Sequence, residues 1–317
     1  MPNADIDTVP DTDTPTDQTL IAALSETRFT ARPSHAQAAA LRRLAVHSAQ
    51  EAGRAPAAAF RSAMEVSVKT SAHDLVTFHD TETERHLIAA LSATVPDSRF
   101  TGEEGGSQGD GALEWIIDPI DGTSNFAHGF AMFSVSVAAA WEDEVVAGVV
   151  HDPVNGLTFS ADDDGAYLQT GDTEEELLRP EPRTDDGETH LNLVTSFPSA
   201  EMLQRHGSRA LEAFGEFVTT YSTVRRLVSG ALELCHAAAG WAGVVGGCRT
   251  SPWDVAAAQL ILRRAGGRYL PFGTREGRSW NGEEARDRHL APGYVGLAPG
   301  AEAPVAERRF AEFSRPS

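Results

Sequence analysis

The stretch Trp115-Ile116-Ile117-Asp118-Pro119-Ile120-Asp121-Gly122-Thr123-Ser124-Asn125-Phe126 decides the reading of this chain. An apolar strand runs into two carboxylates, then a glycine and hydroxyl residues, and strand ends of this kind open onto ligand crevices in α/β sheets. Pro119 stiffens the turn between Asp118 and Asp121, so the two side chains can converge on neighbouring hard cations, which take oxygen ligands. Gly122 lets backbone N–H groups approach an anion with no side chain in the way, and Thr123 adds a hydroxyl. An isolated Asp-x-x-Asp most often caps a helix. The apolar approach and the Gly-Thr sequel argue against that reading here.

Three further acidic segments stand around this one. Thr101-Gly102-Glu103-Glu104-Gly105-Gly106 precedes the strand; adjacent side chains diverge, so one glutamate is expected to point inward as a ligand and the other outward. Asp74-Leu75-Val76-Thr77-Phe78-His79-Asp80 ends in an aspartate that reads either as a helix cap or as a catalytic group. Ser251-Pro252-Trp253-Asp254 opens a long helix, where an acid is ordinarily stabilising on its own account.

Composition narrows the classes. A chain of 317 residues, 41% hydrophobic and 23% charged, buries a sizeable core without help from metals or disulfides. The formal net charge of -20 leaves no basic stripe to track a phosphate backbone, so no long nucleic acid is expected as a partner. Small anions are still admitted, because bound divalent cations invert the local sign. Cys235 and Cys248 lack zinc or CxxC spacing and read as small buried residues, which fits a reducing, cytoplasmic setting. No run approaches the ~20 apolar residues of a membrane span, and no charged-then-apolar leader is present, so a soluble, unexported protein is expected. Lys69 is the only lysine.

Residues 1–20, rich in Asp, Thr and Pro, read as an acidic disordered tail. Helical spacing predicts helices over 34–60 and 81–91, and short strands over 115–117, 133–138, 145–150 and 157–160. Residues 171–188 read as a surface excursion or domain joint. Beyond them a strand at 192–195, helices at 202–214, 230–239 and 252–264, and a strand after Gly266-Gly267 complete a layered α/β architecture.

Taken together, Asp74-x-Val76-Thr77-x-x-Asp80, Gly102-Glu103-Glu104, the stretch from Trp115 to Thr123 and Trp253-Asp254 resemble the inositol monophosphatase family, the lithium-sensitive Mg²⁺ phosphatases related to fructose-1,6-bisphosphatase. The resemblance runs in order over most of residues 35–315. It implies an αβαβα sandwich, with an N-terminal half over 21–183, a C-terminal half over 184–317 and the site in the cleft between. It further implies that Glu103, Asp118 and the carbonyl of Ile120 hold one Mg²⁺, that Asp118, Asp121 and Asp254 hold another, and that a weaker third lies near Glu103. Asp80 and Thr123 would orient and activate the attacking water. The backbone of Gly122 and Thr123, with Ser124, would meet the phosphate, and Lys69 occupies the family's usual lysine position. A homodimer is implied as well.

The substrate-selecting segment departs from the family pattern. Val228-Ser229-Gly230-Ala231 displaces the usual glycine of the turn before the helix, leaving Ser229 and Gly230 as the substrate-side residues. Gly247 stands where inositol monophosphatases proper carry the glutamate that binds inositol hydroxyls, and Cys248 and Arg249 follow it. Deleting such a partner costs a site much of its discrimination. Strict inositol specificity is therefore not expected; Arg249 reads either as a contact for a second anionic group or as a surface residue. His128 and His236 read as structural histidines.

The activity expected is Mg²⁺-dependent hydrolysis of a small phosphate monoester, such as an inositol, sugar or other alcohol phosphate. Histidinol phosphate, fructose bisphosphate, 3′-phosphoadenosine phosphate and specialised-metabolite phosphates are alternatives within the family. A non-catalytic phosphate-ligand-binding protein on the same fold is the alternative outside it.

Overall fold

The computed structural model describes residues 21, 24, 25, 27–62, 66–68, 75–184 and 187–314. The acidic tail over 1–20, Lys69 and Asp74 lie outside the described residues. In chain order the elements are α1 (His35–Ala59), β1 (Val66–Val68), β2 (Leu75–Thr77), α2 (Phe78–Thr94), β3 (Ser98–Gly102), β4 (Gly106–Gln108), β5 (Leu113–Asp121), α3 (Thr123–His128), β6 (Ser134–Trp141), β7 (Glu144–Asp152), β8 (Leu157–Ala161), β9 (Ala166–Thr170) and β10 (Glu176–Leu177). Then come β11 (Asn192–Thr195), α4 (Ala200–His206), α5 (Ser208–Thr220), β12 (Thr223–Arg225), α6 (Gly230–Ala238), β13 (Val244–Cys248), α7 (Pro252–Arg264), β14 (Arg268–Arg275), β15 (Arg278–Asn281), β16 (Gly293–Leu297) and α8 (Pro304–Phe313).

Besides the antiparallel pair β1-β2, two large sheets organise these elements: eight strands in the order β10-β9-β8-β7-β6-β5-β3-β4, and six in the order β12-β11-β13-β16-β14-β15. Side-chain alternation along the strands decides what covers each face. In β5, Trp115 and Ile117 pack with Leu41, Leu44, Leu87 and Leu91 of α1 and α2. Ile116, between them, points the other way, into a cluster with Leu232 and Leu234 of α6 and Val255 and Ile261 of α7. That same cluster reaches Val194, Val245 and Tyr294 of the second sheet. The far face of the second sheet is closed by Met202, Phe217 and Phe310 of α4, α5 and α8. The layers are therefore helix, sheet, helix, sheet, helix: the αβαβα sandwich expected from the sequence.

The middle helical layer sits tight on the first sheet because small residues meet there. A Cβ on Gly148 of β7 would lie only 2.9 Å from the Ala257 Cα of α7, a distance real Cβ atoms do not tolerate. The run Val255-Ala256-Ala257-Ala258 keeps that helix face low. Gln259 to Leu262 of α7 are buried as well.

One helix expected from the sequence is corrected. The helix read over 202–214 is two helices, α4 and α5, broken at Gly207, whose φ of 55° and ψ of -130° lie where glycine alone is at ease. Helical apolar spacing continues across the break, which is why periodicity alone missed it. Among the described residues no helix is long and apolar enough to cross a membrane.

Candidate active site

Strand β5 carries Asp118 and Asp121, and strict alternation would send residues three apart to opposite faces. A register shift prevents this. Asp118 pairs with Ser136 and Asp121 with Ser134 of β6, so β5 spends one residue more than its partner over the same interval, as in a β-bulge. Pro119, with no N–H to offer a neighbouring strand, falls inside the shift. As a result Asp121 turns toward α6: its carboxylate accepts from Ser229 Oγ at 2.5 Å, Gly230 N at 3.1 Å and Ala231 N at 3.0 Å. Gly122 ends the strand at φ 91°, and a Cβ there would meet the Met132 carbonyl oxygen at 2.9 Å. Thr123 and Ser124 then begin the short α3, where the Ser124 carbonyl meets His128 Nδ1 at 2.7 Å.

Asp80 comes from the first turn of α2. Its Oδ2 accepts from Thr77 N at 2.8 Å and Thr77 Oγ1 at 2.6 Å in a capping box, while Oδ1 faces Thr123 Oγ1 at 2.9 Å. The cap and the Thr123 pairing thus coexist in one buried carboxylate. Thr123 Oγ1 also lies 3.0 Å from the Ile120 carbonyl oxygen, but its single proton serves one acceptor at a time. Donation to Asp80 leaves the hydroxyl lone pairs open to a water.

Asp254 sits at the third position of α7 in a capping box with Ser251, accepting from Ser251 N at 2.7 Å. Glu103 follows the end of β3, which runs parallel to β5, and its N–H reaches the Ile117 carbonyl at 3.3 Å. Glu103 and Glu104 are both half-buried, but it is Glu103 whose charge reaches Asp118, Asp121 and Asp254, while Glu104 lines a separate hollow with Thr81, Glu84 and Arg85.

Electrostatics tie these groups together. Burial, reinforced by the negative charges of Glu103, Asp121, Asp254 and Asp80, holds the Asp118 carboxyl well above its ordinary range. Burial pushes Asp254 up to about 7, with Asp121 and Glu103 adding to it. Asp121 is raised to about 6 by burial, which outweighs its hydrogen bonds from Ser229, Ala231 and Gly230. Each of the three therefore feels other members of the group. Yet among the described residues no three acidic, histidine or cysteine side chains close around a single point as a finished metal cage. Both facts follow from local satisfaction: Asp121 leans on α6, Asp254 on its own cap, and Asp118 Oδ1 on the Ile120 N–H at 3.1 Å. The donor set itself, carboxylates and a backbone carbonyl, is what a hard divalent cation takes. Buried carboxylates at such a density also call for a cation to balance them.

Several residues that position this site escaped the sequence reading. Glu84 of α2 is buried, and its carboxylate accepts from Glu104 N at 2.9 Å and Gly105 N at 2.6 Å, clasping the loop that carries Glu103. A Cβ on Gly102 would stand 2.4 Å from the Glu84 Oε2, so a side chain there would displace that carboxylate from the loop. Asn125 Nδ2 bridges the Met132 carbonyl at 2.7 Å and the Leu227 carbonyl at 2.5 Å, joining α3 to the turn before α6. In that turn Val228 takes φ 60°, a left-handed conformation that costs a β-branched residue on the order of 1–3 kcal/mol. Its N–H donates to the buried Glu233 at 3.1 Å. The displaced glycine of the sequence was the one signal for this strained turn.

Beside these carboxylates, a cavity of about 240 Å³ opens between Asp121, Asp254, Gly230, Gly247 and Arg249. A Cβ on Gly247 would stand 2.7 Å from Tyr294 Cε1. The ring of Tyr294, stacked on Tyr269 at 5.2 Å and 15°, occupies the space a longer side chain would need. Arg249 Nε pairs with Glu201 Oε2 at 2.9 Å, both half-exposed. His236 packs beside Trp241 and lies mostly out of water.

A five-layer sandwich with a carboxylate-rich strand end facing the middle helices is the architecture of a class of phosphatases, and comparison with known proteins gives that class. The chain is 37% identical over 208 residues to the inositol-1-monophosphatase of Mycobacterium leprae, covering 63% of this chain and 69% of that one. It is 34% identical over 206 residues to the Nus factor SuhB of Xylella fastidiosa, covering 65% and 72%. Among solved structures, the Thermotoga maritima IMPase superposes with a TM-score of 0.70 at 26% identity, covering 84% of this chain and 95% of that one. The profile of the inositol monophosphatase family matches residues 37–300, and the chain belongs to that family.

Proposed function

We propose that the protein hydrolyses small phosphate monoesters with the help of Mg²⁺ and an attacking water. The observation that carries this reading is the convergence of charge on Asp118: Glu103, Asp121, Asp254 and Asp80 all press on one buried carboxyl. Glu103, Asp118 and the Ile120 carbonyl would hold one ion, and Asp118, Asp121 and Asp254 a second. Bound there, the ions would supply Lewis-acid polarisation of the phosphate oxygens and favour a deprotonated water. The chain's own part is orientation and proton handling. Thr123 Oγ1, donating to Asp80 Oδ1, accepts from the attacking water, and Asp80 is the acceptor toward which its proton moves. The Gly122 and Thr123 N–H groups would face the phosphate as charge grows on its oxygens.

The test is release of phosphate from a panel of polyol, sugar, nucleotide and amino-alcohol phosphates, with and without Mg²⁺ and Li⁺. Release that requires Mg²⁺ supports the reading. A second reading, a binding role without turnover, is favoured by relatives named Nus factors. It gains if no ester on the panel is cleaved although Mg²⁺ binds.

Glu84 is the positioning residue of this scheme. Glu84→Ala removes the clasp on the Glu103 loop, and outer-shell losses of this kind cost about 10–100-fold in metal affinity. The Mg²⁺ concentration for half-maximal activity is expected to rise by that factor, while activity at saturating Mg²⁺ recovers most of its original value. A titration that leaves the midpoint unmoved removes Glu84 from the scheme. The homodimer that the family resemblance implies would be read from the mass in solution by light scattering.

A further inference from the structure

We infer that the preferred substrate carries a second anionic group, bound by Arg249 together with Arg205 and Arg275 in a cavity that adjoins the phosphate site. This rests on the phosphatase reading and names the substrate class within it. The cavity beside Asp121 and Asp254 has Arg249 and Thr250 in its wall. On the other side of Arg249 lies a second cavity of about 350 Å³, whose described lining includes Arg205, Arg249 and Arg275 and no acidic residue. In a chain with 46 acidic and 26 basic residues, three guanidinium groups around one hollow run against the overall charge. Guanidinium groups match phosphate and carboxylate oxygens with paired hydrogen bonds.

Two details give the hollow its polarity. Arg275 is tied down through the Thr250 carbonyl at 2.5 Å, which fixes its head beside the loop between β13 and α7. Arg249 takes φ 62° in that loop, a left-handed conformation unusual outside glycine, and meets the Glu201 carboxylate at 2.9 Å. An ion pair this exposed contributes little and is easily exchanged. Glu201, which is not part of the described lining of either cavity, is then a partner that an anion in the hollow would compete with for Arg249. Meanwhile Gly247 offers no polar group and Tyr294 fills the room above it, so recognition of a polyol hydroxyl at that position is replaced by recognition of charge.

The experiment compares kcat/KM for a hexose monophosphate, the matching hexose bisphosphate and the phosphate ester of the matching sugar acid, in the native protein, Arg249→Gly and Arg249→Lys. Glycine suits the left-handed backbone, so Arg249→Gly should fold at least as well as the native chain; melting curves verify this. The expected result is a bis-anion to mono-anion ratio of at least about tenfold in the native protein, falling toward one in Arg249→Gly and partly retained in Arg249→Lys. Whichever bis-anion is favoured identifies the second group as phosphate or carboxylate. A native ratio near one, or a ratio that Arg249→Gly leaves unchanged, overturns the inference. If no ester releases phosphate at all, the phosphatase reading fails separately. Calorimetry with the same three compounds then decides the subsite by the same ratios of affinity.

Discussion

Asp118→Asn is expected to lower kcat/KM by at least about a thousandfold for every ester the protein cleaves, or ~4 kcal/mol of lost transition-state stabilisation. The substitution keeps the shape of the side chain and its acceptor for the Ile120 N–H. What it deletes is the one charge common to both proposed ion sites. Because Asp118 is buried among like charges, removing its charge relieves the metal-free protein. The variant should therefore melt no lower than the native chain in the absence of divalent ions, which separates lost chemistry from lost fold. Activity within tenfold of native would mean that Asp118 is not at the centre of the chemistry.

The second large effect is on stability. Asp254 is held at about 7 and Asp121 at about 6, both by burial first, against an ordinary aspartate value of 3.8. An acid whose folded pKa is raised binds more protons folded than unfolded, so these two acids take stability away as pH climbs from about 4 to about 7. A single carboxyl shifted by about three units would account for ~4 kcal/mol, and coupled groups share their shifts, so a total of a few kcal/mol is expected. Divalent ions bind the deprotonated forms and act in the opposite sense. The buried His151 and His289, each held down at about 4 by burial, act in the opposite sense up to the ordinary histidine value of 6.5, so the part of the acids is read by difference: between pH 5 and pH 8 the Tm of the metal-free native protein should fall by more, or rise by less, than that of metal-free Asp254→Asn. The rise in Tm on adding Mg²⁺ should be larger at pH 8 than at pH 5. The same pH dependence of Tm in the native and Asp254→Asn proteins, or a Mg²⁺ effect that shrinks with pH, contradicts the burial of these acids.

Local features of the fold were legible in the sequence because they are written in neighbouring residues. The apolar run into Asp118, the helix opened by Ser251-Pro252 and the helix capped by Ser34 appear where spacing and capping chemistry put them. The family resemblance supplied what spacing alone does not, the order of the layers. Missing were the features made by distant partners. Nothing near Asp121 signals that the start of α6, more than a hundred residues on, will hold its carboxylate. Nor does α2 announce that Glu84 clasps the loop after β3. The bulge that brings Asp121 to the face of Asp118 is a property of pairing with β6, and only Pro119 hints at it. Gly207 broke a helix whose apolar rhythm carries on, since a backbone angle leaves no trace in side-chain periodicity. Gly247 was conspicuous as a missing glutamate, but that Tyr294 fills the space came from the opposite strand of the second sheet.

The most direct examination of the account is anomalous diffraction from crystals soaked in Mn²⁺, with native and Asp118→Asn proteins side by side. Manganese peaks are expected within coordinating reach of Asp118, flanked by Glu103 on one side and by Asp121 and Asp254 on the other, and they should be lost in the variant. Manganese found only at scattered surface carboxylates, with none beside Asp118, would contradict it.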